Sequence, residues 1–178
     1  IILGRFVPSE FVGYYSVAFS IISSLIPLII FSDALFPVFL RMKKKRAEFA
    51  FKRSLRLTLI VSFIIFILLF VFSDFIIKFF FGQEYLPAGK ILRIYSILIL
   101  GFPATEIFSN FLISRGKIKK VSKLIIITII VNLILAFLFP LYFLKYSPFM
   151  TTIGIVLAMI IGRYFYLAGL LLIWKEKV

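Results

Sequence analysis

One strongly basic interval, Arg41 to Arg56, lies between runs of residues that are too apolar for a soluble protein. It carries eight basic residues against a single acid, Glu48. Short loops rich in Lys and Arg stay on the cytoplasmic side of a membrane protein and set the direction of the neighbouring spans. A solvated linker that binds nucleic acid is disfavoured, because apolar runs of membrane-spanning length flank the interval on both sides. The interval therefore predicts a cytoplasmic loop in a multi-pass membrane protein.

The composition agrees with a membrane protein. The chain is 63% hydrophobic and only 16% charged, whereas soluble domains are about 45–50% apolar and about 25% charged. Its net charge of +14 is concentrated in two loops and the C-terminal tail, so it does not indicate a nucleic-acid partner. Because Cys and His are both absent, thiol and imidazole chemistry are excluded, and we expect no cofactor and no metal.

The apolar segments predict an all-α fold with about five transmembrane helices, near residues 11–40, 57–72, 94–113, 124–144 and 149–174. The first is longer than the ~20 residues that a bilayer core requires, and Pro27 and Pro37 favour a bend within it. After the second span, alternating charged and aromatic residues from Asp74 to Gly82 predict an amphipathic turn in the membrane interface. The apolar start, Ile1 to Leu3, and the missing Met predict a fragment of a longer protein.

The distribution of cations predicts the orientation. With residues 41–56 on the inner side, residues 114–123 and the C-terminus are on that side as well. The inner side then holds fifteen Lys and Arg residues and the outer side five, as the positive-inside rule requires. We therefore expect a multi-pass protein of the cell membrane in which these basic loops and the C-terminus are cytoplasmic.

Six stretches spread over nearly the whole chain carry a family likeness. They are VGYYSVA (12–18), LFPVFLR (35–41), FGQEYLPA (81–88), ILRIYS (91–96), SRGK (114–117) and VNLILAFLFP (131–140). In this order and spacing they resemble the C-terminal half of the polysaccharide and O-antigen flippases. These flippases belong to the multidrug/oligosaccharidyl-lipid/polysaccharide exporter superfamily.

The resemblance implies a fold of two six-helix lobes around a central cavity, with this chain forming most of the second lobe. It implies alternating-access transport of a polyprenyl-pyrophosphate-linked oligosaccharide across the cytoplasmic membrane. The implied partners are that lipid-linked oligosaccharide, membrane lipids and the missing N-terminal lobe. A drug/cation antiporter of the same superfamily is the alternative function.

Ionisable residues within the spans are the first candidates for a site. Each costs ~2.5–3.5 kcal/mol on insertion scales and usually faces a bundle interior or an aqueous cavity. Arg163 could bind pyrophosphate through its permanent charge and planar donor fork, or it could pair with an acid to hold helices together. Glu106, beside a predicted kink at Pro103, and Asp33 are candidate coupling residues, because a buried carboxylate can change charge. Either could instead be an ion-pair partner, and Asp33 could bind a lysine of the basic loop.

Two amides complete the candidate set. Asn110 and Asn132 could contact the substrate, although hydrogen bonds between helices are the simpler interpretation. The seven acids of the chain are scattered singly and form no cluster of the kind that a membrane-embedded transferase needs. An enzyme is therefore disfavoured, while a small structural membrane subunit remains a further alternative.

Overall fold

The computed structural model describes residues 3–29 and 32–176, and the side chains of residues 32–34 lie outside that description. Within this part the regular structure is helical, with no strand, as the sequence predicted. The helices are α1 (Ser9–Ile29), α2 (Ser32–Arg41), α3 (Lys44–Phe81), α4 (Leu86–Tyr95), α5 (Leu98–Ser114), α6 (Ile118–Phe143) and α7 (Pro148–Lys175). Short 3-10 turns, Leu3–Arg5 and Gln83–Tyr85, precede α1 and α4. The predicted earlier span at Ile1–Leu3 falls largely on residues outside this description.

Up to five membrane spans can be formed from these helices. Helices α1, α3, α6 and α7 are each long and apolar enough to cross a membrane. A fifth, broken span can be formed by α4 with the turn before it and α5, between which the chain bends by 43°. The all-α polytopic fold class is therefore confirmed.

The first predicted span is divided into two helices rather than one bent helix. Helix α1 ends at Ile29 and α2 begins at Ser32. Pro27 lies in the last turn of α1 and Pro37 lies within α2. Each proline removes one backbone hydrogen bond from a helix. A single helix that contained both prolines would therefore lack hydrogen bonds on both sides of the break between α1 and α2.

The prediction that residues 41–56 form a loop is wrong. Helix α3 begins at Lys44 and continues for 38 residues, so most of the basic interval is helical. Lysine, arginine, alanine and glutamate are good helix formers, and the cations can face water while Ala47 and Phe51 are buried on the other side of the helix. At ~1.5 Å per residue α3 is ~57 Å long, which exceeds the ~30 Å hydrocarbon core.

The segment predicted as an amphipathic turn after the second span is instead part of α3. The helix runs through Asp74 and ends at Phe81, before Gly82, where φ is +90°. Ser73 and Ile77 are buried, and the carboxylate of Asp74 accepts a hydrogen bond from Arg93 Nη2 at 2.8 Å. These contacts with α4 stabilise the extra helical turns, which hydropathy alone does not indicate.

The bend in the broken span lies before Pro103 rather than at it. Ile99 N donates to Ser96 O at 2.9 Å and Leu100 N donates to Ile97 O at 3.2 Å, so the backbone is wound in 3-10 fashion there. Pro103 has no N–H to donate to the carbonyl of Ile99, and its ring crowds that turn. The disturbance therefore falls in the preceding turn, and α5 continues through Pro103.

Helices α4 and α5 form the centre of the bundle. They pack against α1, α2, α3 and α7, whereas α6 packs mainly against α7. Tyr95, Ile99, Ile107 and Leu112 of this central span are fully buried. Large apolar side chains along α3 and α6 are exposed, as expected for surfaces that face lipid.

Helices α6 and α7 approach closely because glycines of α7 face α6. A Cβ atom added to any of three glycines would overlap a neighbour on α6: Gly154 against Phe143, Gly162 against Asn132, and Gly169 against Leu124. Small residues permit such close backbone approach, which supplies much of the packing energy between helices in lipid.

Two cations of the second basic segment bind the ends of helices. This segment, predicted as a loop over residues 114–123, is a short turn followed by the start of α6. Arg115 donates to the carbonyl oxygens of Phe39 and Met42 at the end of α2. Lys117 Nζ donates to the carbonyl oxygen of Ile173 at 2.7 Å, at the end of α7. Both cations neutralise the negative ends of helix dipoles and bring the ends of α2, α5 and α7 to one face of the molecule.

Candidate functional site

A cavity of about 560 Å³ lies between α5, α6 and α7. Three predicted site residues line it, one from each helix: Glu106, Asn132 and Arg163. Most of the remaining wall is apolar, and it includes Phe102, Ile129 and Leu133 among others. The structure therefore brings together polar side chains that are 26 to 57 positions apart in the chain, within an otherwise hydrophobic enclosure.

Arg163 is held against α5 by three different groups. Its Nη1 donates to Thr105 Oγ1 at 2.9 Å and lies 3.5 Å from Glu106 Oε1. Its guanidinium carbon lies 3.5 Å from the centroid of the Phe102 ring, well within the range of a cation–π interaction. The Thr105 hydroxyl in turn donates to Phe102 O at 2.7 Å, which orients its oxygen toward the arginine.

The ion pair with Glu106 is loose. A charge-assisted N–H···O bond is typically about 2.7–2.9 Å long, and this one is 3.5 Å. The arginine side chain is 22% exposed and the glutamate 34% exposed. Both polar contacts of Arg163 use Nη1, and no described residue accepts a hydrogen bond from Nε or Nη2. The guanidinium therefore retains donor capacity for another ligand.

Asn132 lines the cavity and is also in close contact with α7. Its amide lies against the backbone of α7 at Gly162, where an added Cβ would overlap the amide atoms. Because Gly162 directly precedes Arg163, the amide lies next to the segment that carries the arginine. This contact agrees with the helix–helix interpretation of Asn132, and the residue also reaches the cavity.

Two predicted site residues, Asn110 and Asp33, are not among the described residues that line the cavity. Asn110 lies on α5, one turn beyond Glu106, half-buried and not among the residues that line the cavity. Asp33 lies in α2, and its side chain falls outside the described residues. The suggested roles of Asn110 in substrate binding and Asp33 in coupling remain predictions.

Some site residues were missed by the sequence analysis, namely Phe102, Thr105, Ser109 and Tyr166. Tyr166 Oη and Ser109 Oγ lie 3.2 Å apart on the cavity wall. Phe102 and Ser109 lie four and three residues from Glu106, and Tyr166 lies three residues from Arg163, so each shares a helix face with a predicted site residue. Helical spacing from Glu106 and Arg163 could therefore have found these three, whereas Thr105 directly precedes Glu106 and has no such signal.

A metal centre is not evident in the described part of the chain. Among residues 3–29 and 32–176, no three His, Cys, Asp or Glu side chains come together in a group that could hold an ion. The cavity offers one carboxylate, one guanidinium, one amide and several hydroxyls. This set can bind a ligand through charge and hydrogen bonds, and it can bind apolar groups along its walls.

Comparison with known proteins identifies a family for this chain. The family model described as MatE matches residues 41–138, which is more than half of the 178-residue chain. No curated protein and no solved structure matches the chain significantly. The matched segment includes Glu106 and Asn132 of the cavity and ends before Arg163.

Proposed function

This chain belongs to the MatE family of membrane transporters, and on that premise we propose that it takes part in flipping a polyprenyl-pyrophosphate-linked oligosaccharide across the cell membrane. The superfamily of this family includes both polysaccharide and multidrug exporters, which are transporters rather than enzymes. In our proposal the chain forms most of the second lobe of a two-lobe transporter, with a preceding N-terminal lobe as its partner. The two lobes would alternate access to a shared cavity and serve surface polysaccharide biosynthesis.

The position of Arg163 carries this proposal. It lies near the middle of α7, on the wall of a largely apolar cavity, and among the described residues its contact to a carboxylate is a single long one. A guanidinium stays charged when it is removed from water and can donate to two oxygens of a phosphate at once. A pyrophosphate entering the cavity could take the Nε and Nη2 donors without first displacing a protein group.

The neighbouring residues have supporting roles in the proposal. Asn132 would donate its amide to the pyrophosphate or to the first sugar. Glu106 would act in coupling, because its protonation would remove the nearby negative charge and strengthen anion binding by Arg163. The lipid tail would pass along apolar walls or into the surrounding bilayer, where hydrocarbon is already the solvent.

A drug/cation antiporter is the second candidate function. The observation that favours it is the 34% exposed carboxylate of Glu106 in the same cavity. In that case Glu106 would bind the cationic substrate or the coupling ion, and Arg163 would serve to hold α7 against α5. The flippase proposal therefore assigns the essential role to Arg163, and the antiporter proposal assigns it to Glu106, the other member of the ion pair.

Substitution of the pair in the full-length protein distinguishes these candidates. We expect Arg163→Ala to lower flipping of a fluorescent polyprenyl-pyrophosphate oligosaccharide in proteoliposomes by about ten- to a hundredfold. This is the effect of losing a charge-assisted hydrogen-bonded contact. Arg163→Lys should recover only part of the activity, because a lysine lacks the donor fork.

Lys119→Ala, an exposed cation of α6 outside the cavity, is the matched control and should transport normally. Normal flipping by Arg163→Ala would remove the arginine from the site. Loss of cationic drug efflux in Glu106→Gln, combined with normal efflux in Arg163→Ala, would favour the antiporter instead.

We also propose that the face carrying the ends of α2, α5 and α7 is cytoplasmic. The basic start of α3 and the cations of residues 115–123 lie on this side of the molecule. The positive-inside rule supports this orientation.

A further inference from the structure

A groove of about 1010 Å³ runs between α3, α5 and α7 and shares no lining residue with the Arg163 cavity. Tyr164 lines the groove while its neighbour Arg163 lines the cavity. Almost all of the groove wall is apolar, with Leu59 and Phe63 of α3 and Leu167 of α7 as typical members. The groove is therefore separate from the cavity to which the function above is assigned.

The charged residues of the groove are confined to one end. Among the described residues, Lys52 and Arg56 are the charged members of its wall. They lie one helical turn apart on α3, so they share a helix face. Both are exposed, and no described residue forms an ion pair with either of them. Trp174, which stacks edge-on against Phe108, lines the same groove near the end of α7.

The length of the groove corresponds to one leaflet. Along α3 it extends from Phe51 to Ile64, which is ~20 Å at ~1.5 Å per residue. One half of the hydrocarbon core is ~15 Å thick. A tail that starts beside the two cations would therefore end near the middle of the bilayer.

We propose that this groove is a binding site for one anionic phospholipid of the leaflet on the basic side. Its phosphate would contact Lys52 and Arg56, Trp174 would lie at the level of the headgroup, and one acyl chain would follow the apolar wall. Charge complementarity favours an anionic lipid over a zwitterionic one, because each nearby cation attracts net negative charge. The groove length favours an acyl chain over a polyprenyl tail, which is longer than one leaflet.

Trp174 allows a direct test, because it is the only tryptophan in this sequence. The protein would be reconstituted, with any further tryptophan replaced by Phe, in bilayers containing lipid brominated on the acyl chain. We expect brominated phosphatidylglycerol to quench Trp174 at about a tenfold lower mole fraction than brominated phosphatidylcholine. The double variant Lys52→Gln/Arg56→Gln should abolish this preference.

The control variant is Lys119→Gln/Lys123→Gln, which removes the same charge from exposed positions of α6 and should keep the preference. Equal quenching by both lipids in the unmodified protein would overturn the proposal, and so would loss of preference in the control. Absence of quenching by either lipid would mean that another part of the protein covers the groove. Relief of quenching by unlabelled polyprenyl phosphate, but not by unlabelled phosphatidylglycerol, would identify the transported lipid's tail as the occupant. Both of these outcomes would refute a phospholipid site, and neither would affect the role proposed for Arg163.

Discussion

At the scale of single residues, Arg163 shows how a charge can be held in the interior of a membrane bundle. In place of water, its guanidinium contacts the ring face of Phe102, the hydroxyl of Thr105 and the more distant carboxylate of Glu106, all on α5. The ring of Phe102 and the hydroxyl of Thr105 carry no charge, so they stabilise the cation without neutralising it. This arrangement leaves the guanidinium able to attract an anion, which a tight ion pair would prevent.

Gly162 gives a prediction at the same scale. Replacing it with alanine should lower the free energy of unfolding by about 1–3 kcal/mol, the usual cost of overpacking. The added methyl would overlap the amide of Asn132. Thermal unfolding in detergent, followed by the loss of soluble protein, would measure the change.

The double variant Gly162→Ala/Asn132→Ala should recover much of the lost unfolding free energy, because the amide that overlaps the new methyl is gone. A double-mutant cycle gives the interaction energy between the two positions. Gly4→Ala is the control, since nothing lies within 4 Å of the new methyl there. An unchanged melting temperature for Gly162→Ala would contradict the close helix contact.

The residue scale also shows what sequence could and could not predict about the site. Arg163 and Glu106 were predicted because a charge inside an apolar span is rare and costly. Phe102 and Thr105 were missed because an aromatic ring or a hydroxyl in such a span is common and carries no signal of its own. Asn110 was selected by the same polarity criterion as Asn132, but the two differ in helix and in facing direction, which only packing determines.

At the scale of elements, the membrane-spanning helices were predicted well and their ends were not. Hydropathy reports which residues prefer hydrocarbon, so it identifies the apolar centre of each helix. It does not report where backbone hydrogen bonding stops. Helix α3 therefore exceeds its predicted span at both ends, through Lys44–Arg56 and through Ser73–Phe81, because helix propensity and contacts with other helices continue beyond the apolar centre.

The end of α2 provides a prediction about elements. Arg115 binds two carbonyl oxygens there, those of Phe39 and Met42. Arg115→Ala should lower the free energy of unfolding by about 1.5–3 kcal/mol, as for other hydrogen bonds to a charged group. Comparison with Lys119→Ala, which removes an exposed cation from the next helix, separates this capping contact from the general effect of net charge.

The same thermal assay measures both variants. Equal stability of the Arg115→Ala and Lys119→Ala proteins would show that the capping contact contributes nothing measurable. Arg115→Lys should be intermediate, because an ammonium can reach a carbonyl but cannot bridge two of them with a planar fork.

At the scale of the whole molecule, the helices differ in how far they are enclosed by neighbouring helices. The broken span α4–α5 is enclosed by its neighbours, whereas α6 contacts little besides α7 and exposes most of its apolar surface. Helices α5 and α7 line both concavities with different residues, so this pair of helices separates the proposed substrate cavity from the proposed lipid groove. Charge is unequal as well, because most of the cations gather at one end of the bundle.

The proposed orientation is tested by labelling, which the absence of cysteine in this sequence makes simple. Lys119 and Lys145 are exposed near opposite ends of α6. In intact cells, a membrane-impermeant maleimide should modify the Lys145→Cys variant. It should modify the Lys119→Cys variant only after permeabilisation. The reverse pattern would place the basic face outside and contradict the assignment of the cytoplasmic side.

The contact between Arg163 and α5 has a consequence for biogenesis. Synthesis proceeds from the N-terminus, so Phe102, Thr105 and Glu106 are made 57 to 61 residues before the arginine that they bind. Helix α7 carries this arginine near its middle, and a charge at such a position costs ~2.5–3.5 kcal/mol on insertion scales. Because α5 is made before α7, its three side chains are already present to offset that cost when α7 enters the bilayer.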